Sequence, residues 1–227
     1  MDLPVWQRLY DELKDKNFVV IAVALDTGGA QAAGEWIRKA EPTYPCLIDE
    51  RHVVAELYDI VNVPMGVWID ESGRIVRPAE PSGASDAFRR MDPKTLRLPD
   101  DAVEDIRTRR RVYLDALRDW AEKGASSAHA FAPEEARRRM TGPTEEDALA
   151  AANFRLAEHL HRQGRTADAL PYFEEAMRLR PESWAYKRQG WALETPGGSG
   201  GPKFWAAVQA LGDRPYYPAV EMEGMPG

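Results

Sequence analysis

At 227 residues the chain is long enough to bury a sizeable core, and it suits one large domain or two small ones. A net charge of −7 disfavours a general phosphate-backbone binder. No apolar run approaches the ~20 residues that span a bilayer, and the start lacks a signal peptide's basic-then-apolar layout, so the chain as it stands reads as cytoplasmic, with no nucleic-acid partner and no membrane segment.

In chain order, residues 5–14 (VWQRLYDELK) place Trp6, Leu9, Tyr10 and Leu13 on one apolar helix face, with Asp2 and Pro4 as start signals. The β-branched run FVVIAVALD, residues 18–26, predicts a strand buried on both faces, as in a parallel sheet covered by helices. The loop Asp26-Thr27-Gly28-Gly29 leads into the helical stretch AQAAGEWIRKA. That loop could cradle an anion at a helix start, but it lacks either glycine-rich phosphate motif and reads as a turn. Tyr44–Asp49 is a short extended segment, and residues 51–59 form a helix with Val54, Leu57 and Tyr58 on one side. NVPMGVWID and GRIVRP, joined by Glu71-Ser72-Gly73, predict a hairpin with a tight turn.

This order is α/β, and its details resemble thioredoxin-like redoxins of the TlpA/ResA and AhpC/TSA kind. The stretches that carry the resemblance are LPVWQRLYDEL, VVIAVALD, YPCLIDE, VAELYDIVNVP and GVWIDESGRIV, about the first third of the chain. The resemblance implies a thiol–disulfide oxidoreductase or antioxidant family, common in bacteria and often exported or membrane-tethered. It makes Pro64 a cis-proline with Val63 beside it, the two shaping a substrate groove. Taken alone, Pro64 need only start an edge-facing strand, where a missing N–H is tolerated.

The family's paired cysteines and the strand before them would fall just ahead of Met1. Cys46 is the single cysteine, so no internal disulfide, CxxC pair or Cys-rich zinc site can form. A lone buried cysteine behaves as a small hydrophobe, and a redox-sensing thiol is the other reading of Cys46. His159 and His161 are two apart and diverge on a helix. No metal and no cofactor are expected. Without the strand before the cysteines, the expected sheet has three strands in the order 18–25, 66–70, 74–77; a fourth strand from Tyr217 to Met222 would overturn that order.

Residues 81–100 are rich in Pro, Gly and Ser and read as a linker, with a short helix around Ala84 to Arg90. From Asp101 to Lys123 a helix carries Val103, Ile106, Tyr113, Leu117 and Trp120 on its apolar side. Its basic run Arg107–Arg111 is interspersed with acids and reads as a solvated face, as does Arg137–Arg139. Residues 150–183 resemble a tetratricopeptide repeat. Leu156, Ala157 and Leu160 would pack the first helix, Gly164 mark the turn, and Ala169, Phe173, Ala176 and Pro181 complete the second. Residues 184–194 begin a further helix that caps it. A glycine-rich loop follows at 195–202, then a short helix at 204–211. Tyr216, Tyr217 and Pro218 pack an aromatic end, with an aromatic ligand cage as the bolder alternative.

The expected organisation is an N-terminally truncated thioredoxin-like domain at 1–80, a linker at 81–100 and a helical region at 101–227. Two functions compete. One is a redoxin-family oxidoreductase, inactive as the chain stands because the CxxC is absent. The other is a non-catalytic scaffold that holds a protein or peptide with its helical repeat.

Overall fold

The computed structural model describes residues 3–92, 95–140 and 142–226; Asp2, expected as a start signal, and Pro93 of the linker lie outside the described residues. The elements in chain order are α1 (Leu3–Leu13), β1 (Ala22–Leu25), α2 (Gly29–Ala40), β2 (Cys46–Asp49), α3 (Val53–Leu57), β3 (Met65–Ile69), β4 (Ile75–Pro81), α4 (Asp100–Lys123), α5 (Pro133–Arg139), α6 (Glu145–Arg162), α7 (Thr166–Leu179), α8 (Trp184–Glu194) and α9 (Pro202–Gln209). Short 3-10 turns occupy Asp86–Arg90, Gly124–Ser126 and Gly198–Gly200.

These elements cluster into two compact units, each assembled from separate stretches of chain. One comprises Met1–Val20, Pro64–Met140 and Asp213–Gly227, and the other Ile21–Val63 and Thr141–Gly212.

The expected three-strand sheet is not formed. The described strands make two separate two-stranded sheets, β1 parallel to β2 and β3 antiparallel to β4. β1 takes β2 as its partner, with Ala22 opposite Cys46 and Leu25 opposite Asp49. The reason is local. α2 supplies the crossover that a parallel pair needs, whereas β3 already has a neighbour one tight turn away. β1 is also shorter than the apolar run that suggested it, and all four of its residues are only partly buried, because a two-stranded sheet cannot cover both faces. Residues 217–222 form no strand.

In the first unit, the β3–β4 turn is tied by Asp70. Its Oδ1 accepts the Ser72 and Arg74 backbone N–H groups, each at 2.9 Å, while Gly73 takes a φ of +81°. The turn therefore forms as its sequence predicts. The core gathers Leu9 and Leu13 of α1, Trp68 of β3, and Tyr113, Ala116 and Leu117 of α4, with Met222 and Met225 packed against it. The Trp68 indole N–H donates to the Tyr113 hydroxyl at 2.8 Å, which satisfies the one polar atom the ring buries. Gly66 matters here because a Cβ at that position would come within 2.6 Å of the Tyr113 hydroxyl.

Arg77 of β4 is 1% exposed and ties three segments of this unit. It makes a forked pair with Glu80 and donates to the carbonyls of His129 and Glu221 at 2.8 and 3.0 Å. Tyr216 and Tyr217 pack against Phe88, and their backbone N–H groups donate to the Asp86 carboxylate at 2.8 and 2.7 Å. Within the basic runs, Arg109, Arg111, Arg138 and Arg139 pair with Asp105, Asp115 and Glu135.

In the second unit, α6 begins on a capping box. The Thr144 side chain accepts from the Asp147 N–H, and Asp147 accepts from the Thr144 N–H in return. α6 and α7 then form a helical hairpin whose turn uses Gly164 at a φ of +76°. Ala157, Ala169 and Ala176 are fully buried between these helices, and Phe154, Phe173 and Tyr186 fill the remainder of the core. The expected packing residue Leu156 is exposed instead. The helix phase places Phe154 inward, two positions earlier.

Candidate functional site

A polar cluster lies buried inside the second unit, where an open-ended sheet meets helices. Asp49, the last residue of β2, spreads its carboxylate over the start of α3. Oδ1 accepts from the Val53 N–H at 2.9 Å, and Oδ2 accepts from Val54 and Ala55 at 2.7 and 3.1 Å. These are the amides that a helix start leaves unpaired, and a carboxylate there also meets the positive end of the helix dipole. The capping draws the chain into a tight bend at His52, which adopts the left-handed conformation at a φ of +54°.

His52 is thereby pressed inward, 1% exposed, with its ring edge-on to Phe154 at 5.0 Å. Its Nε2 lies 3.4 Å from the Thr27 Oγ1, at the long limit of a hydrogen bond, and Thr27 Oγ1 lies 2.7 Å from Glu158 Oε1. Glu158 on α6 is itself buried and meets Arg162 at 3.3 Å. With the Glu158 carboxyl ionised, the Thr27 hydroxyl hydrogen is committed to it. Thr27 can then only accept from His52, which assigns the proton to Nε2 and leaves Nδ1 an acceptor. That Nδ1 has no hydrogen-bond partner.

Burial dominates the electrostatics. It pushes the His52 imidazole down to about 4, against Asp49 and Gln189, which favour the charged ring. Burial likewise pushes Glu158 up to about 7, against the Thr27 hydrogen bond and the Arg162 charge, with Glu56 and Asp49 adding to the rise. The two groups thus approach neutrality from opposite sides.

Beside this cluster lies a cavity of about 210 Å³, bounded by the end of β1, His52, the segment before β3, and α8. Leu25, Val63, Trp184 and Ala192 give it apolar walls, while Asp26, His52, Arg188 and Gln189 give it polar ones.

The residues singled out from sequence are dispersed. Val63 lines the cavity, and its N–H donates to Asn62 Oδ1 at 2.9 Å. Pro64 belongs to the other unit, where its carbonyl accepts from the Ser82 N–H at 3.2 Å. Cys46 begins β2, half-buried and free, with its thiol pushed up by burial. His159 and His161 make separate contacts, to Gln163 and to Thr166. His52, Thr27, Glu158 and Arg188 carried no spacing signal, since 131 residues separate Thr27 from Glu158.

Residues 2–77 match the AhpC/TSA family. This thioredoxin-like redoxin segment runs from α1 into β4 and contains the Asp49–His52 bend, while α6 and α8 lie beyond it. No curated protein and no solved structure matches the chain. Among the described residues, no helix is long and apolar enough to cross a membrane, and no group of three or more His, Cys, Asp or Glu side chains could hold a metal ion.

Proposed function

We propose that this is a thioredoxin-like redoxin of the TlpA/ResA kind whose 227 residues perform no dithiol exchange of their own. The observation that carries this reading is the state of Cys46. It is the single cysteine, it is half-buried, and burial raises its thiol above the ordinary range. Thiol–disulfide exchange needs a thiolate to attack and a second thiol to resolve the mixed disulfide, and low-pKa thiolates occur in electropositive, accessible surroundings. Cys46 meets neither requirement. Val63 and Pro64 are assigned to substrate positioning, on the family resemblance alone.

A second role suits the helical part. Ala157, Ala169 and Ala176, all fully buried, allow the close helix approach that a tetratricopeptide-like repeat at 150–183 requires, and α8 follows as a cap. On this reading the division runs from a redoxin segment at 1–80, through a linker at 81–100, to a helical region that holds a protein or peptide.

Insulin reduction with dithiothreitol as electron donor tests the first reading. The purified chain and a Cys46→Ser control should give equal, background rates. Turnover by the parent clearly above that control would overturn the proposal.

A further inference from the structure

The cavity of the second unit is small. At about 210 Å³ it falls below the ~300–1,000 Å³ of pockets that take drug-sized ligands, yet it exceeds by far the room one water needs. Its polar groups are of three kinds. The first are neutral: Asn62, Gln189, Ser199 and His52, whose imidazole burial holds in its uncharged form.

Arg188 brings a positive charge. Its Nε donates to the Ser199 carbonyl at 3.1 Å and its guanidinium carbon stands 5.3 Å from the Phe204 ring centroid, which together hold the fork in place. No carboxylate pairs with Arg188 among the described residues. A planar guanidinium with N–H groups to spare suits a carboxylate bidentately. Asp26 brings the opposite charge, with Oδ1 held by the Gly28 N–H at 2.8 Å. A bare anion in this cavity would face Asp26, and a bare cation would face Arg188. A ligand of zero net charge that carries both signs complements the lining, and Leu25 and Trp184 leave room for an apolar part.

We propose that this cavity binds a small zwitterion, an α-amino acid with an apolar side chain. Its carboxylate meets Arg188, its ammonium meets Asp26, and its side chain lies against Leu25 and Trp184. The assignment is independent of Cys46 and of any redox role for the chain.

Isothermal titration of the full chain with L-leucine tests it, alongside N-acetyl-leucine, which lacks the ammonium, and leucinamide, which lacks the carboxylate. The expected result is saturable binding of L-leucine, with each analogue at least about tenfold weaker, a difference of ~1.4 kcal/mol. Asp26→Asn, which keeps an oxygen for the Gly28 N–H, and Arg188→Gln should each weaken leucine binding by a similar factor with circular dichroism unchanged. Absence of leucine binding at millimolar concentration would overturn the site. So would equal binding of all three compounds, or variants that fold as the parent does and bind leucine equally well.

Discussion

His52 and Glu158 sit at opposite ends of one hydrogen-bonded chain through Thr27, and their opposed titrations make the pair legible in a stability profile. Held down to about 4, His52 binds fewer protons in the folded chain than its ordinary 6.5 gives the unfolded one, so its influence makes stability rise with pH between about 4 and 6.5. Glu158, held up to about 7 from 4.5, binds more protons when folded; its contribution is full at low pH and is lost as pH rises through about 7. Each influence is on the order of 3 kcal/mol at full extent. Between about pH 4.5 and 6.5 they oppose one another, and the parent should be nearly flat. Glu158→Gln, which preserves an acceptor for Thr27, should leave stability rising with pH across that window. His52→Gln should leave it falling. Urea midpoints at several pH values measure all three profiles, and a parent as steep as either variant would show that the two groups do not offset each other.

At the scale of elements, the α6–α7 hairpin depends on Phe173, 2% exposed and 5.5 Å from the Phe154 ring. Phe173→Ala should open a cavity and cost about 3–5 kcal/mol, read as a lowered thermal midpoint with the helical signal otherwise retained. An unchanged midpoint would place the hairpin's support elsewhere. The helices and the β3–β4 turn were legible from sequence because their signals are local. The apolar spacing of α1, the Gly164 turn and the Asp70–Gly73 turn each lie within a few residues of the bonds they make. Pairing was not legible. The run at 18–26 announces an apolar strand, but nothing in it distinguishes a partner at 46–49 from one at 66–70. Leu156 and Phe154 show the finer version of the same limit. Both are apolar, two positions apart on α6, and only the packing of α7 and α8 decides which faces inward. The buried cluster was invisible for the same reason, because His52 and Glu158 come from parts of the chain joined only by the fold.

At the scale of the whole molecule, each compact unit closes over long sequence separations. In the first unit the residues after Asp213 are integral: Met222 and Met225 pack against the core of Trp68 and Tyr113, Asp86 holds the amides of Tyr216 and Tyr217, and Arg77 and Arg139 reach Glu221. A chain shortened to residues 1–212 should therefore lose the acceptor that the buried Arg77 finds at Glu221 and two apolar covers of the core. Limited proteolysis should then cut it rapidly within 64–140 while the parent resists, and equal resistance would show that the tail is dispensable to the unit.

The Arg77 clasp also bears on how the protein comes into being. Synthesis proceeds from the amino end, and domains of consecutive sequence can settle as they emerge. Here the carbonyl that completes the clasp belongs to Glu221, which is made 144 residues after Arg77. Until then α1, the β3–β4 hairpin and α4 are present without their final cover, so the nascent chain carries Trp68, Leu9 and Leu13 in an unfinished apolar core. Folding of this unit consequently waits until Glu221 has emerged from the ribosome, and the interval before it is when the unit's apolar core is most exposed to aggregation.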